Sequence, residues 1–347
     1  MSEYQSLKAL IDQIFADESY ELIDEVRAKQ KDLLANEKII SREVNQLYCP
    51  RCHSSSFYRN GHTKIGKQKF LCKDCGKSFS TSTHTVLHAT KRVYFYWVRF
   101  IHLSIIGLTL KQISEELSIS IKTAFIWRHK LFEACSHLRE QIKLKGQVEI
   151  DAMYRSINLK GTKPEKMPRK SKKRSSSIYR GISRHQVCIM TAIDENDQLI
   201  MKIAGIGPES LEKAEVLTEH LDKDVLLVSD MKTCYIGYAK KHEWELQTIK
   251  SKGHTNETGY NLATINGIHS EYEVWSKRFR GISIKHLQGY LDMFTLSKLL
   301  GYRFEGSKEK DTFIFNEYLT SATRLLVKDI FLKPIPIDLK AAYSHSK

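Results

Sequence analysis

Apolar residues recur along this chain with two different periods, and the change between them divides it. Over residues 1–45 the spacing is helical. Leu7, Leu10, Ile11, Ile14 and Phe15 form one stripe and Leu22, Ile23 and Val26 a second, with no Cys, Pro or Gly to interrupt them. Two or three short helices are expected there, serving as a packing extension or in dimer contacts. Helical spacing returns over Tyr94–Ile106 and stops at Gly107. Leu108–Leu117 follows as a second helix with Thr109 as N-cap, then a turn at Ser118-Ile119-Ser120, then a third helix over Ile121–Cys135. Ala124, Trp127, Leu131 and Cys135 are placed to pack, and Lys122, Thr123, Arg128 and His129 read as its outer side. A short helix, a tight turn and a second helix with polar residues outward is a helix-turn-helix pattern. An ordinary helical pair with a solvated face is the alternative.

From residue 147 the pattern shortens to that of strands, at Val148–Ile157, Val187–Ile193, Leu199–Ile203 and Val225–Ser229. A helix is expected over Glu209–Leu221, with Leu211, Ala214, Leu217 and Leu221 on one face. Two more are expected over Thr264–Lys277 and 282–300, the latter with Leu287, Tyr290, Leu291 and Phe294 on its apolar side. Strand, strand, strand, helix, strand is the order of a ribonuclease-H-like core, in which the first and fourth strands lie side by side. The first run reaches Asp151 and the fourth ends in Asp230. Taken singly, each aspartate reads as a strand cap or turn residue. Placed on neighbouring strands they could share hard divalent cations, which take oxygen ligands and drive phosphoryl transfer in two-metal sites. A third ligand should come from a later helix.

Charge and cysteines sharpen this. The 347 residues carry 55 Lys and Arg against 40 Asp and Glu, a net charge of +15, which favours a polyanionic partner, nucleic acid first. No apolar run approaches a membrane span of about 20 residues. The N-terminal residues lack the basic-then-apolar pattern of a signal peptide. Four of the seven cysteines form two C-x-x-C pairs, Cys49/Cys52 and Cys72/Cys75, at the separation of about 15–20 residues that zinc ribbons use. They predict one structural Zn²⁺ in a reducing compartment, consistent with a cytoplasmic, nucleoid-associated protein. Within the α/β region, 160–184 is a basic insertion that includes Lys170, Lys172, Lys173, Arg174 and Arg180. It reads as a phosphate-contacting loop or as a solvated charge run.

The expected organisation is therefore a helical extension (1–45), a zinc ribbon (46–85), an all-α helix-turn-helix domain (90–140), an α/β ribonuclease-H-like core (146–300) and a C-terminal tail (301–347). Together these features resemble the DDE transposases of bacterial insertion sequences, in the group related to the Merlin elements. The resemblance rests on the four paired cysteines, Val148-Glu149-Ile150-Asp151, Val228-Ser229-Asp230, and Asn266-Gly267-Ile268-His269 followed by Trp275, Lys277, Arg278, Gly281 and Tyr290-Leu291. It implies that Asp151 and Asp230 hold catalytic Mg²⁺ or Mn²⁺. It also implies that the protein cuts insertion-sequence ends and joins the 3′-OH to target DNA, with double-stranded DNA as partner and a homo-oligomer at work. The family's third ligand is normally a Glu three residues after an Asn. Here His269 stands in that place, and some relatives use the Asn, which is Asn266 in this chain. Lys277 would hold a phosphate near the metals. A DNA-binding regulator of the same architecture with impaired catalysis is the competing reading.

Overall fold

In the computed structural model of the chain, the described residues are 48–63, 68–80, 82–83, 85–87, 94–161, 181–250 and 255–303, with 313, 330, 333–339 and 343. The extension at 1–45, basic residues 162–180 and most of the tail beyond 303 lie outside them. The chain divides into two units, residues 1–103 with 311–324, and residues 104–310 with 325–347.

In the first unit, β1 (Phe57–His62), β2 (Gln68–Cys72) and β3 (Ser78–Ser80) form an antiparallel sheet in that order. Three rings make most of its interior. Phe57 stands edge-on to Phe70 and Phe79 at 5.4 and 5.6 Å, and the latter two stack at 5.5 Å. Among the described residues, Phe70, Phe79, Cys49 and Cys72 with half-buried Phe57 and Cys75 make up this cluster, too little apolar area to hold such a sheet unaided. Helix α1 (Tyr94–Ile105) follows in the chain.

In the second unit, α2 (Leu110–Glu116) starts at a capping box. The Thr109 hydroxyl accepts from the Gln112 N–H, and the Gln112 side chain accepts from the Thr109 N–H. The long helix α3 (Ile121–Gln141) is capped by Ser120. A five-stranded sheet follows, ordered β6-β5-β4-β7-β8, from β4 (Gln147–Ser156), β5 (Gln186–Asp194), β6 (Leu199–Ile206), β7 (Leu226–Asp230) and β8 (Glu245–Ile249). The first three strands are antiparallel, whereas β7 and β8 run parallel to β4. Between β6 and β7 the expected helix is one α-turn, α4 (Leu211–Ala214), continued as a 3₁₀ segment to His220. Helix α5 (Thr233–His242) and the edge strand β8 were not expected from the sequence.

Alternation along β4 assigns its two faces. Val148, Ile150 and Ala152 point into the main core with Cys188, Met190, Leu217, Leu227, Tyr235 and Tyr238. The opposite face carries Glu149, Asp151 and Arg155, and against it lies α6 (Ala263–Lys277). Buried Glu149 accepts the Ile265 N–H at 2.9 Å, satisfying a donor of the first helical turn with a negative charge that the helix dipole favours. Arg155 reaches Ser276 Oγ at 2.9 Å near the other end. Helix α7 (Leu287–Arg303) joins β6 to α3. Its Gln288 bonds both the Ile203 N–H and the Met201 carbonyl, and Asp292 pairs with Arg139 of α3 at 2.5 Å. Where α7 crosses α3, a Cβ at Gly289 would stand 2.4 Å from the Phe132 ring, so this close approach requires glycine.

Candidate active site

Parallel pairing of β4 with β7 in the register Glu149↔Val228 puts Asp151, midway along β4, across from Asp230 at the last residue of β7. Both carboxylates are mostly buried. Two groups absent from the sequence expectations join them. Lys232 Nζ lies 2.8 Å from Asp230 Oδ2, 2.5 Å from Glu209 Oε1 and 3.9 Å from Asp151 Oδ1. Glu209, in the loop before α4, is nearly enclosed, and its N–H donates to the Tyr154 hydroxyl at 3.3 Å. Neither residue belongs to a periodic pattern. The only sequence signal was Lys232 following Asp230 by two positions, where the Asp230 Oδ1 accepts its N–H to shape the turn into α5.

From α6, His269 Nδ1 comes within 3.8 Å of Asp151 Oδ2, and its Nε2 is buried without a hydrogen-bond partner. Burial pushes its imidazole down to about 4, so the ring is neutral and able to ligate at physiological pH. Burial pushes the Asp151 carboxyl up to about 6; the Ala152 N–H and Lys232 oppose the rise, and Asp230 and Glu209 add to it. Asn266 lies one turn before His269 with its side chain exposed. Lys277 is also exposed, about 12 Å further along the helix axis than His269 at the usual rise per residue. Glu273 pairs with Arg155 at 3.3 Å and Glu271 with Lys298, so both helix acids are engaged away from the aspartates.

One expected DNA contact is corrected. Arg128 does not face outward on α3; it is fully buried. It falls four residues after Ala124 and three before Leu131, within the same stripe that α3 turns inward. Its guanidinium donates to the Leu108 carbonyl at 3.1 Å and lies over the rings of Phe279 and Tyr290. His129 is buried as well, 4.5 Å from the His286 ring. At the start of α3, Lys122 is exposed and Thr123 half-buried beside the cap. Lys170, Lys172, Lys173, Arg174 and Arg180 lie outside the described residues.

The four paired cysteines converge. Cys49 Sγ stands 3.6 Å from Cys75 Sγ, and Cys52 Sγ 3.5 Å from Cys72 Sγ, with all four sulfurs within 4.8 Å of one another. Tetrahedral zinc with Zn–S bonds of about 2.3 Å needs sulfurs about 3.8 Å apart, so the set fits that ion. The Cys72 thiol is pushed down to about 7, first by the Cys75 backbone N–H. Gly76, at φ +63°, closes the second knuckle by donating to the Cys72 carbonyl. Among the described residues no other cluster of His, Cys, Asp and Glu is this tight.

Residues 143–296 match the ISXO2-like transposase domain and residues 44–76 the zinc ribbon of the InsA N-terminal domain; the chain carries both. It is 31% identical over 118 residues to an uncharacterized protein in transposable element ISH50 of Halobacterium salinarum, and 42% identical over 33 residues to the insertion element iso-IS1N protein InsA of Shigella dysenteriae. These matches cover 34% and 10% of this chain, and 39% and 37% of the two relatives. A pre-cleavage Mos1 transpososome aligns over 66% of this chain and 78% of its own at 10% identity, with a TM-score of 0.21, too low to bear on the fold. No helix of the described residues is long and apolar enough to cross a membrane.

Proposed function

We propose that the protein is a DNA transposase that binds the ends of its insertion sequence, cleaves them and joins the freed 3′-OH to target DNA. The observation that carries this reading is the placement of Asp151 and Asp230 on adjacent parallel strands, both in reach of one cationic group. Three carboxylates already gathered around an ammonium are a donor set for a hard cation, and the unpartnered His269 Nε2 adds a nitrogen beside them. Asp151 and Asp230 would hold Mg²⁺ or Mn²⁺, with His269 or Asn266 completing the set. When bound, such ions activate the attacking oxygen and stabilise the leaving one in phosphoryl transfer.

The protein's own groups do the remaining work. Glu149 caps α6 and so fixes how far His269 reaches toward Asp151. Burial keeps that imidazole neutral. The ribbon, Lys122 and Thr123 at the start of α3, and Lys170, Lys172, Lys173, Arg174 and Arg180 would hold DNA, the basic residues through its phosphates. Lys277 would meet the backbone farther from the aspartates. Joining two ends calls for a homo-oligomer.

Asp151→Asn and Asp230→Asn should each abolish cleavage and joining on the inverted repeats flanking the coding region, with DNA binding retained. An Asp151→Asn protein that cuts and joins at the wild-type rate would overturn the assignment. A wild-type protein that binds these ends yet is inert with every divalent metal would favour the regulator.

A further inference from the structure

The carboxylate cluster holds a cation of its own. Lys232 is the N-cap residue of α5, where an ammonium has no lone pair to offer the first-turn N–H groups. It turns back over the Tyr235 ring and places Nζ among Glu209, Asp230 and Asp151. These acids come from a loop and two strands, and the fold brings them together. Carboxylates gathered around one point repel one another unless a cation stands among them. Glu209 is 5% exposed and cannot relieve this by swinging into water.

Lys232 differs from its partners. Its side chain is 42% exposed, so a path to solvent is open. An ammonium on a four-carbon stem is a compact point charge that can leave by rotating a few bonds, unlike a guanidinium locked in a planar fork. Its nearest oxygens stand at 2.5 and 2.8 Å, on Glu209 and Asp230, and the Asp151 oxygen is farther off at 3.9 Å. The acids are thus gathered around an ammonium but not drawn together tightly enough for a divalent ion.

We propose that Lys232 is a built-in counter-ion that occupies the place of a divalent metal among Asp151, Asp230 and Glu209 and must swing out as the metal enters, leaving Glu209 as a further carboxylate of the metal-loaded cluster. The proposal rests on the reading that Asp151 and Asp230 hold a catalytic cation. It makes metal entry an exchange of one cation for another, with the displaced ammonium left at the rim of the site.

The test uses the full-length, zinc-loaded protein with Mn²⁺ as probe. Calorimetry should find Mn²⁺ bound about tenfold tighter by Lys232→Gln than by wild type, since competition from a unit charge is removed. Lys232→Arg, whose planar fork is harder to displace, should bind Mn²⁺ more weakly than wild type, and Glu209→Gln should bind more weakly too. Without Mn²⁺, Lys232→Gln should melt lower than wild type, and Mn²⁺ should close the gap. In the wild-type protein, where no variant has to fold, Mn²⁺ should speed acetylation of Lys232 by an amine-acylating reagent, read by peptide mass, while Lys122 is unchanged. If Asp151→Asn loses Mn²⁺ but Lys232→Gln binds it no tighter, or if Mn²⁺ fails to speed acetylation of Lys232, the exchange is wrong and the metal site stands. If Asp151→Asn and wild type bind Mn²⁺ alike, the metal site itself is wrong and the proposal falls with it.

Discussion

The thiol cluster and the carboxylate cluster, which we propose as a second cation site, are built on opposite principles. The thiols come from two knuckles in one short stretch, and their sulfurs already stand at the spacing of a tetrahedral ion. The interior beneath them is three phenylalanines, so the ion must supply most of the stability. The carboxylates come from β4, β7 and a loop, spread from residue 151 to 230, and a large apolar core fixes where they stand. They are looser, and the chain's own ammonium lies among them. A structural site is closed and makes its fold, whereas a catalytic site is held open by a fold that exists without it.

Zinc removal should separate the two most strongly. Binding of structural zinc is worth about 10 kcal/mol or more in ribbon-sized units. Chelation, or Cys72→Ser at the buried ligand, should unfold residues 48–80 while leaving Mn²⁺ affinity at the carboxylates unchanged. Zinc analysis, limited proteolysis and calorimetry would read this. A ribbon that keeps its protease resistance without metal would erase the contrast.

That contrast also explains what the sequence revealed. The ribbon was legible because its ligands are local and their spacing is chemical information. Asp151 and Asp230 could be read because each follows a short hydrophobic run and strand order makes them neighbours, although β4 continues past Asp151 to Ser156 and only Asp230 ends its strand. Glu209 and Lys232 carry no such signal: one sits in a loop, the other in a turn, and only the folded chain brings them together. Helix α5 and strand β8 were missed because short half-exposed elements have weak periodicity; β8 has a single buried residue, Ile249. Arg128 was misplaced because its type was weighed above its position in the inward stripe of α3.

A smaller effect tests the packing behind the carboxylates. Gly289→Ala sets a methyl group against Phe132 where α7 crosses α3, and should destabilise by about 1–3 kcal/mol, seen in denaturant melts. The ribbon's zinc content should not change. A variant as stable as wild type would show that the crossing yields freely.

Smaller still is a pH effect. The Asp151 carboxyl sits at about 6 against a usual 3.8, so the folded metal-free protein holds this proton more tightly than the unfolded chain does. The resulting stability is fully present below the unfolded value and is lost as pH rises through 6. For metal binding the sign is reversed: the proton must leave, so Mn²⁺ affinity should hold above pH 6 and fall by about tenfold per unit below it. His269, at about 4, stays neutral over most of that window. Titrations at pH 5, 6 and 7 would measure the slope; a flat profile would remove Asp151 from the metal's ligands.

The most direct test of the shared site is cleavage of the protein's own backbone by bound iron. Fe²⁺ takes the place of Mn²⁺, and ascorbate with peroxide generates radicals that cut the chain beside the ion. Asp151 and Asp230 on one cation predict two cuts appearing together, near residues 151 and 230, both suppressed by excess Mn²⁺ and both lost in Asp151→Asn. Cuts at one of these positions alone, or at neither, would contradict a single cation site shared between β4 and β7.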